Sequence, residues 1–139
     1  MLRGYAAGVS FMDHQLGRVL DKLRDLKAEK STLVVFFSDH GFAMGERGQW
    51  GKRSLFESDA RVPLIIADPR AAAGHGTHCL AIAELVDVFP TLVDLAGLPT
   101  PHALVPPLSG VSQGSVVRRK AAEGARRQGE LSWQGPRTE

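Results

Sequence analysis

The residues best suited to chemistry stand close together in the first half of the chain. Ser38-Asp39-His40-Gly41 places an anionic oxygen beside an imidazole nitrogen, a donor pair that suits a divalent cation. Gly41 lets the backbone turn away sharply after them. On residue types alone, a polar turn capped by Asp39 explains the same four residues. A hard cation such as calcium takes about six to eight oxygens, so two donors need help from elsewhere. Downstream lies Gly45-Glu46-Arg47-Gly48-Gln49-Trp50-Gly51-Lys52-Arg53. Lys52 in this Gly-rich run offers a compact ammonium for the oxygens of a sulfate or phosphate ester. A solvated loop lysine is the competing account. Arg61 reads as a structural partner for Glu57, Asp59 or Asp39.

The flanking elements explain how these residues would be presented. Leu33-Val34-Val35-Phe36-Phe37 is an unbroken apolar run, as expected of a strand buried on both faces. Asp39 and His40 then fall at its carboxyl end, where open α/β sheets place their ligands. Before it, Val9, Met12, Leu16, Val19, Leu20 and Leu23 recur at helical spacing and predict an amphipathic helix over 5–26. A loop is expected from Ser38 to about Asp59, followed by a second strand over Arg61–Ile66 with Pro63 near its start or on an edge. Ala71–Thr77 reads as a small-residue surface loop. A second helix is expected over Asp87–Ala96, with Pro90 in its first turn and Gly97 as its stop. The order is α-β-loop-β-α, an α/β class with some parallel pairing. Two strands are few for a self-sufficient sheet.

From about Gln113 onward apolar periodicity fades and Arg118-Arg119-Lys120 and Arg126-Arg127 appear. Residues 113–139 therefore read as a basic tail, disordered or weakly helical, and 1–112 as the folded portion. The whole chain has 139 residues and a formal net charge of +2, which gives no reason to expect a nucleic-acid partner. No apolar run suits a membrane span, and the first residues do not read as a signal peptide. Localisation stays open. The single cysteine, Cys79, permits no intrachain disulfide and reads as a small, half-buried residue. His14 reads as structural. His75 and His78 lack a visible third ligand for zinc. Trp50 and Phe42 could wall a pocket, though loop packing is the plainer account.

The run Ser38–Ile66 (SDHGFAMGERGQWGKRSLFESDARVPLII) closely resembles a segment of the sulfatases, within the alkaline-phosphatase-like superfamily. The likeness is greatest to the iduronate-2-sulfatase and choline-sulfatase branches. Tyr5–Leu20 resembles the family helix before the strand, and Leu85–Leu92 with Leu95–Leu98 the helix after it. The resemblance covers about residues 5–112 and implies the C-terminal portion of an alkaline-phosphatase-like sheet with flanking helices. It implies that Asp39 and His40 are two of the ligands of one active-site calcium, and that Lys52 holds the substrate sulfate. Arg47 departs from the family pattern, where many relatives carry His. The implied function is a fragment of a sulfuric ester hydrolase acting on a sulfate ester, a sulfated sugar being one such substrate. The formylglycine motif and the N-terminal aspartate pair have no counterpart here. Cys79 lacks the Arg that the formylglycine motif requires. The chain is therefore expected to be inactive alone and to need an N-terminal half as partner. A phosphodiesterase or phosphonate monoester hydrolase fragment, or a non-enzymatic remnant, are the alternatives.

Overall fold

A computed structural model describes residues 1–100 and 109–130, with residues 124–130 as backbone only. The chain divides into two compact units, Met1–Ile65 and Ile66–Glu139. Each is best understood by itself. Among the described residues no helix is long and apolar enough to cross a membrane.

The first unit opens with α1 (Leu2–Asp25). Lys22 and Arg24 in its last turn suit the negative end of the helix dipole. Lys27 then takes φ +54° and its N–H bonds to the Arg24 carbonyl, closing the end. The expected helix is thus present, starting earlier. Its apolar stripe is not a core face: Val9, Met12 and Val19 are exposed, and Leu16 and Leu23 only half-buried. The periodicity fixes the helix; it does not supply the surface that would cover the stripe.

Strand β1 (Val34–Phe37) follows, and a hairpin of β2 (Ala43–Met44) and β3 (Trp50–Gly51) stands next in the chain. The hairpin is antiparallel, with Ala43 opposite Gly51 and Met44 opposite Trp50. A 3-10 turn over Glu46–Gly48 joins its strands. Gly45 enters that turn at φ +113°, which a side chain would resist, and its N–H bonds to the Gln49 carbonyl. A one-turn helix, α2 (Glu57–Ala60), precedes β4 (Leu64–Ala67), which neighbours β1 in a two-stranded sheet. The expectation of strands buried on both faces is corrected here. Residues of β1 and β4 are half-buried or exposed, Phe37 and Ile65 among the exposed ones, because each strand has a single neighbour.

The second unit is held by carboxylates. Asp68 caps a 3-10 turn over Pro69–Gly74, where a plain loop was expected, and Arg70 grips its side chain at 2.9 and 2.8 Å. A further 3-10 turn (Leu85–Asp87) leads into α3 (Val88–Ala96), which stops at Gly97 with φ +66°. Pro90 lies in the first turn of α3, where its missing N–H costs nothing. α4 (Gly114–Glu130) occupies part of the segment expected as a tail. Its start is tied down: the Gln113 N–H donates to Thr91 Oγ1 and Arg118 forks onto Asp94 at 3.1 Å through each nitrogen. Gly74 backs directly onto Ala121, leaving no room for a Cβ. Residues 131–139 of the expected tail lie outside the described residues. Cys79, expected to be half-buried, is exposed, because residues 77–84 form no helix or strand that could cover it.

Candidate active site

The site lies in the first unit and begins where β1 ends. Asp39 follows that strand by one residue, and its Oδ1 accepts the His40 main-chain N–H at 2.8 Å. Its Oδ2 meets His40 Nδ1 at 3.1 Å and Lys52 Nζ at 3.0 Å. The structure thus brings together Asp39, His40 and Lys52, three residues separated by up to 13 positions in the chain. All three side chains remain about half exposed or more, so their partners can be exchanged for a ligand. The hydrogen bonds from His40 and then Lys52 hold the Asp39 carboxyl down at about 2.

The turn before Lys52 is built from short-range bonds. Glu46 accepts the Met44 N–H through a side-chain oxygen at 2.5 Å, and its own N–H and that of Met44 keep the carboxyl ionised below its ordinary range. Arg47 stands at φ +54°, with its guanidinium 4.0 Å above the Phe56 ring. The departure from the family pattern at this position therefore has a local role. Trp50 packs beside Gly45, and Phe42 meets Tyr5 of α1 with ring centroids 5.3 Å apart. Trp50 thus packs within the loop and Phe42 against α1, and both remain partly open to solvent.

Other candidates take no part. Among the described residues Arg61 pairs with Glu57, at 3.9 Å and with both side chains exposed. In the second unit, the His75 ring bonds to the Asp68 carbonyl at 2.9 Å, so that nitrogen is engaged. Among the described residues no cluster of three or more His, Cys, Asp or Glu side chains could hold a metal ion. The donor set at Asp39 and His40 therefore fits part of a calcium shell only: one carboxylate and one imidazole.

Asp59 escaped the reading of the sequence as a site residue. It is buried, and its Oδ2 accepts the main-chain N–H groups of Arg53 at 2.9 Å and Ser54 at 2.7 Å. These bonds depress its carboxyl, the Arg53 amide first. The available signal was an acid a few residues after a Gly-rich turn; it carries no spacing rule.

The sulfatase family profile matches residues 1–98. Iduronate 2-sulfatase of Mus musculus is 40% identical over 122 residues, covering 71% of this chain and 22% of that protein. Choline-sulfatase of Rhizobium meliloti (strain 1021) is 41% identical over 130 residues, covering 87% of this chain and 25% of that protein. The crystal structure of phosphonate monoester hydrolase of Agrobacterium radiobacter superposes with a TM-score of 0.67 at 34% identity, over 77% of this chain and 20% of that one. The fold is thus a mixed helix-and-strand piece similar to part of these alkaline-phosphatase-like hydrolases. The chain belongs to the sulfatase family. It spans about a quarter or less of the length of these relatives.

Proposed function

We propose that this chain is the oxyanion-binding, C-terminal portion of a sulfuric ester hydrolase, with Lys52 as the sulfate-binding group and Asp39 and His40 as two ligands of a divalent cation, calcium. The observation that supports it most is the meeting of Lys52 and His40 on one exposed Asp39 oxygen at the end of β1. An ammonium already drawn to a carboxylate oxygen can exchange it for a sulfate oxygen at little cost, because both are solvated anions. A cation held by Asp39 and His40 would leave Lys52 without that partner and free to meet the ester. Calcium would supply charge neutralisation beside the ester oxygens. The additional donors it needs, and the formylglycine that attacks sulfur in this family, would come from an N-terminal portion that the described residues do not contain. The substrate class is a sulfate ester, and a sulfated sugar or choline-type alcohol fits the names of the relatives.

The experiment is aryl-sulfate hydrolysis by the full chain with calcium, alone and after addition of the N-terminal part of a sulfatase. No turnover alone, and turnover after addition that Lys52→Ala abolishes, is the expected result. Turnover by the chain alone that survives Lys52→Ala would refute the reading. A second reading, a phosphonate monoester hydrolase portion, draws on the structural similarity to that enzyme. Preference for a phosphonate monoester over an aryl sulfate in the same assay would favour it.

A further inference from the structure

We infer that Asp59 is a positioning residue, holding the cation-binding turn and the anion-binding lysine at one fixed spacing. The inference rests on the reading of Asp39, His40 and Lys52 given above. Asp59 grips both sides of the site at once. Its main-chain carbonyl accepts the Gly41 N–H at 2.8 Å, one residue beyond His40. Its side-chain Oδ2 accepts the Arg53 and Ser54 N–H groups at 2.9 and 2.7 Å, directly beyond Lys52. Ser58 Oγ donates to the other oxygen at 3.2 Å, so both oxygens are engaged. The residue is only 3% exposed, which removes water as a substitute acceptor.

Two further features show that the arrangement is tight on both sides. Gly41 lies so close to the Ser58 carbonyl that a Cβ would overlap it. Arg53 stands at φ +146°, a conformation that residues with side chains rarely adopt and that persists only where neighbouring bonds enforce it. The Asp59 carboxylate supplies that enforcement. Nor is it an ordinary helix cap. The amides it holds precede α2, whereas an N-cap accepts from the second or third residue inside its own helix. Without the carboxylate, the Arg53 and Ser54 amides lose their acceptor, Arg53 relaxes, and Lys52 is no longer held at one spacing from the turn that carries His40.

The test is a titration of the full chain with inorganic sulfate, read at the Lys52 Nζ resonance, for the wild type, Asp59→Ala and Asp59→Asn. Asp59→Ala is expected to weaken sulfate binding about tenfold. Asp59→Asn keeps an acceptor oxygen and is expected to restore affinity to within about threefold of wild type. A role limited to holding the fold would lower the melting temperature and leave the affinity of the folded protein unchanged. A folded Asp59→Ala protein with wild-type affinity, or a folded Asp59→Asn protein no better than Asp59→Ala, overturns the inference. If Asp59→Ala does not fold, the wild type decides: scalar couplings across the hydrogen bonds from the Arg53 and Ser54 amides to the Asp59 carboxyl carbon must be present. Their absence overturns it. If the wild type binds no sulfate, the Lys52 reading fails instead, and the same couplings still decide the role of Asp59.

Discussion

Two regions of the chain use aspartates in opposite ways. In the loop after β1, the Asp39 side chain is 70% exposed; its Oδ1 takes the His40 main-chain N–H, and its Oδ2 faces the side chains of His40 and Lys52. In the second unit, at the start of α3, Asp87 is only 7% exposed. Its oxygens are spent on the main-chain N–H groups of Val111 at 2.8 Å and Glu84 at 3.1 Å, and on Gln113 Nε2 at 3.1 Å. Amide partners are fixed by the backbone, while exposed side-chain partners such as Lys52 can leave. Both carboxyls are depressed, so a lowered pKa does not by itself mark a site. Exposure and the kind of partner separate the two roles.

The largest expected effect breaks the fixed region. Asp87→Ala leaves the Val111 amide and the Glu84 amide without their acceptor where water is scarce, and should lower the melting temperature by on the order of 10 °C. Thermal melting by circular dichroism checks it. A change within about 2 °C would show that the second unit does not depend on this carboxylate.

Next comes Gly41→Ala. The added Cβ overlaps the Ser58 carbonyl, and both groups are backbone, so neither can rotate away. The turn that carries His40 must then shift. Amide resonances of Gly41, Arg53 and Ser54 are expected to move together, since Asp59 bonds to all three. Movement at residue 41 without any at 53 and 54 would separate the two halves.

The exchangeable region should show itself in pH. The folded Asp39 carboxyl titrates near 2, below its ordinary 3.8. A depressed acid contributes stability that is present above the unfolded value and lost as pH falls through the folded one. The Asp39 contribution therefore disappears between about 3.8 and about 2. Carbon-detected titration of the folded Asp39 carboxyl should place its midpoint near the lower end, at about 2. His40→Ala should raise that midpoint more than Lys52→Ala, because the His40 bond is the larger cause. The reverse order would mean that Lys52 dominates the pair. The smallest effect belongs to Arg61→Ala, whose 3.9 Å contact with Glu57 is open to solvent. Its melting temperature should stay within about 2 °C of wild type.

The sequence exposed the site where chemistry and strand position coincide, and hid it where bonds run to the main chain. Asp39 and His40 follow an apolar run, so their place at the end of β1 could be read directly. Lys52 could be placed only as belonging to the same loop; its 3.0 Å contact with Asp39 depends on the hairpin between them. That hairpin went unread because each of its strands has two residues, too few for alternation to show. Asp59 was hidden for another reason: its partners are amides, which every residue type provides. α4 was obscured by its arginines. The bonds that tie its start, from Gln113 to Thr91 and from Arg118 to Asp94, cross 22 and 24 residues and leave no local pattern. α1 shows the converse, a strong pattern whose apolar stripe is left largely uncovered.

The central claim is that Asp39, His40 and Lys52 form an exchangeable oxyanion and cation site. The most direct measurement is a sulfate titration of the full chain with and without calcium, followed residue by residue by nitrogen-detected NMR. Saturable shifts confined to Lys52 and its neighbours Gly51 and Arg53, lost in Lys52→Ala and strengthened when calcium occupies Asp39 and His40, are the predicted result. Shifts centred instead on Arg118, Arg119 and Lys120, or a Lys52 resonance that sulfate leaves unmoved, would contradict it.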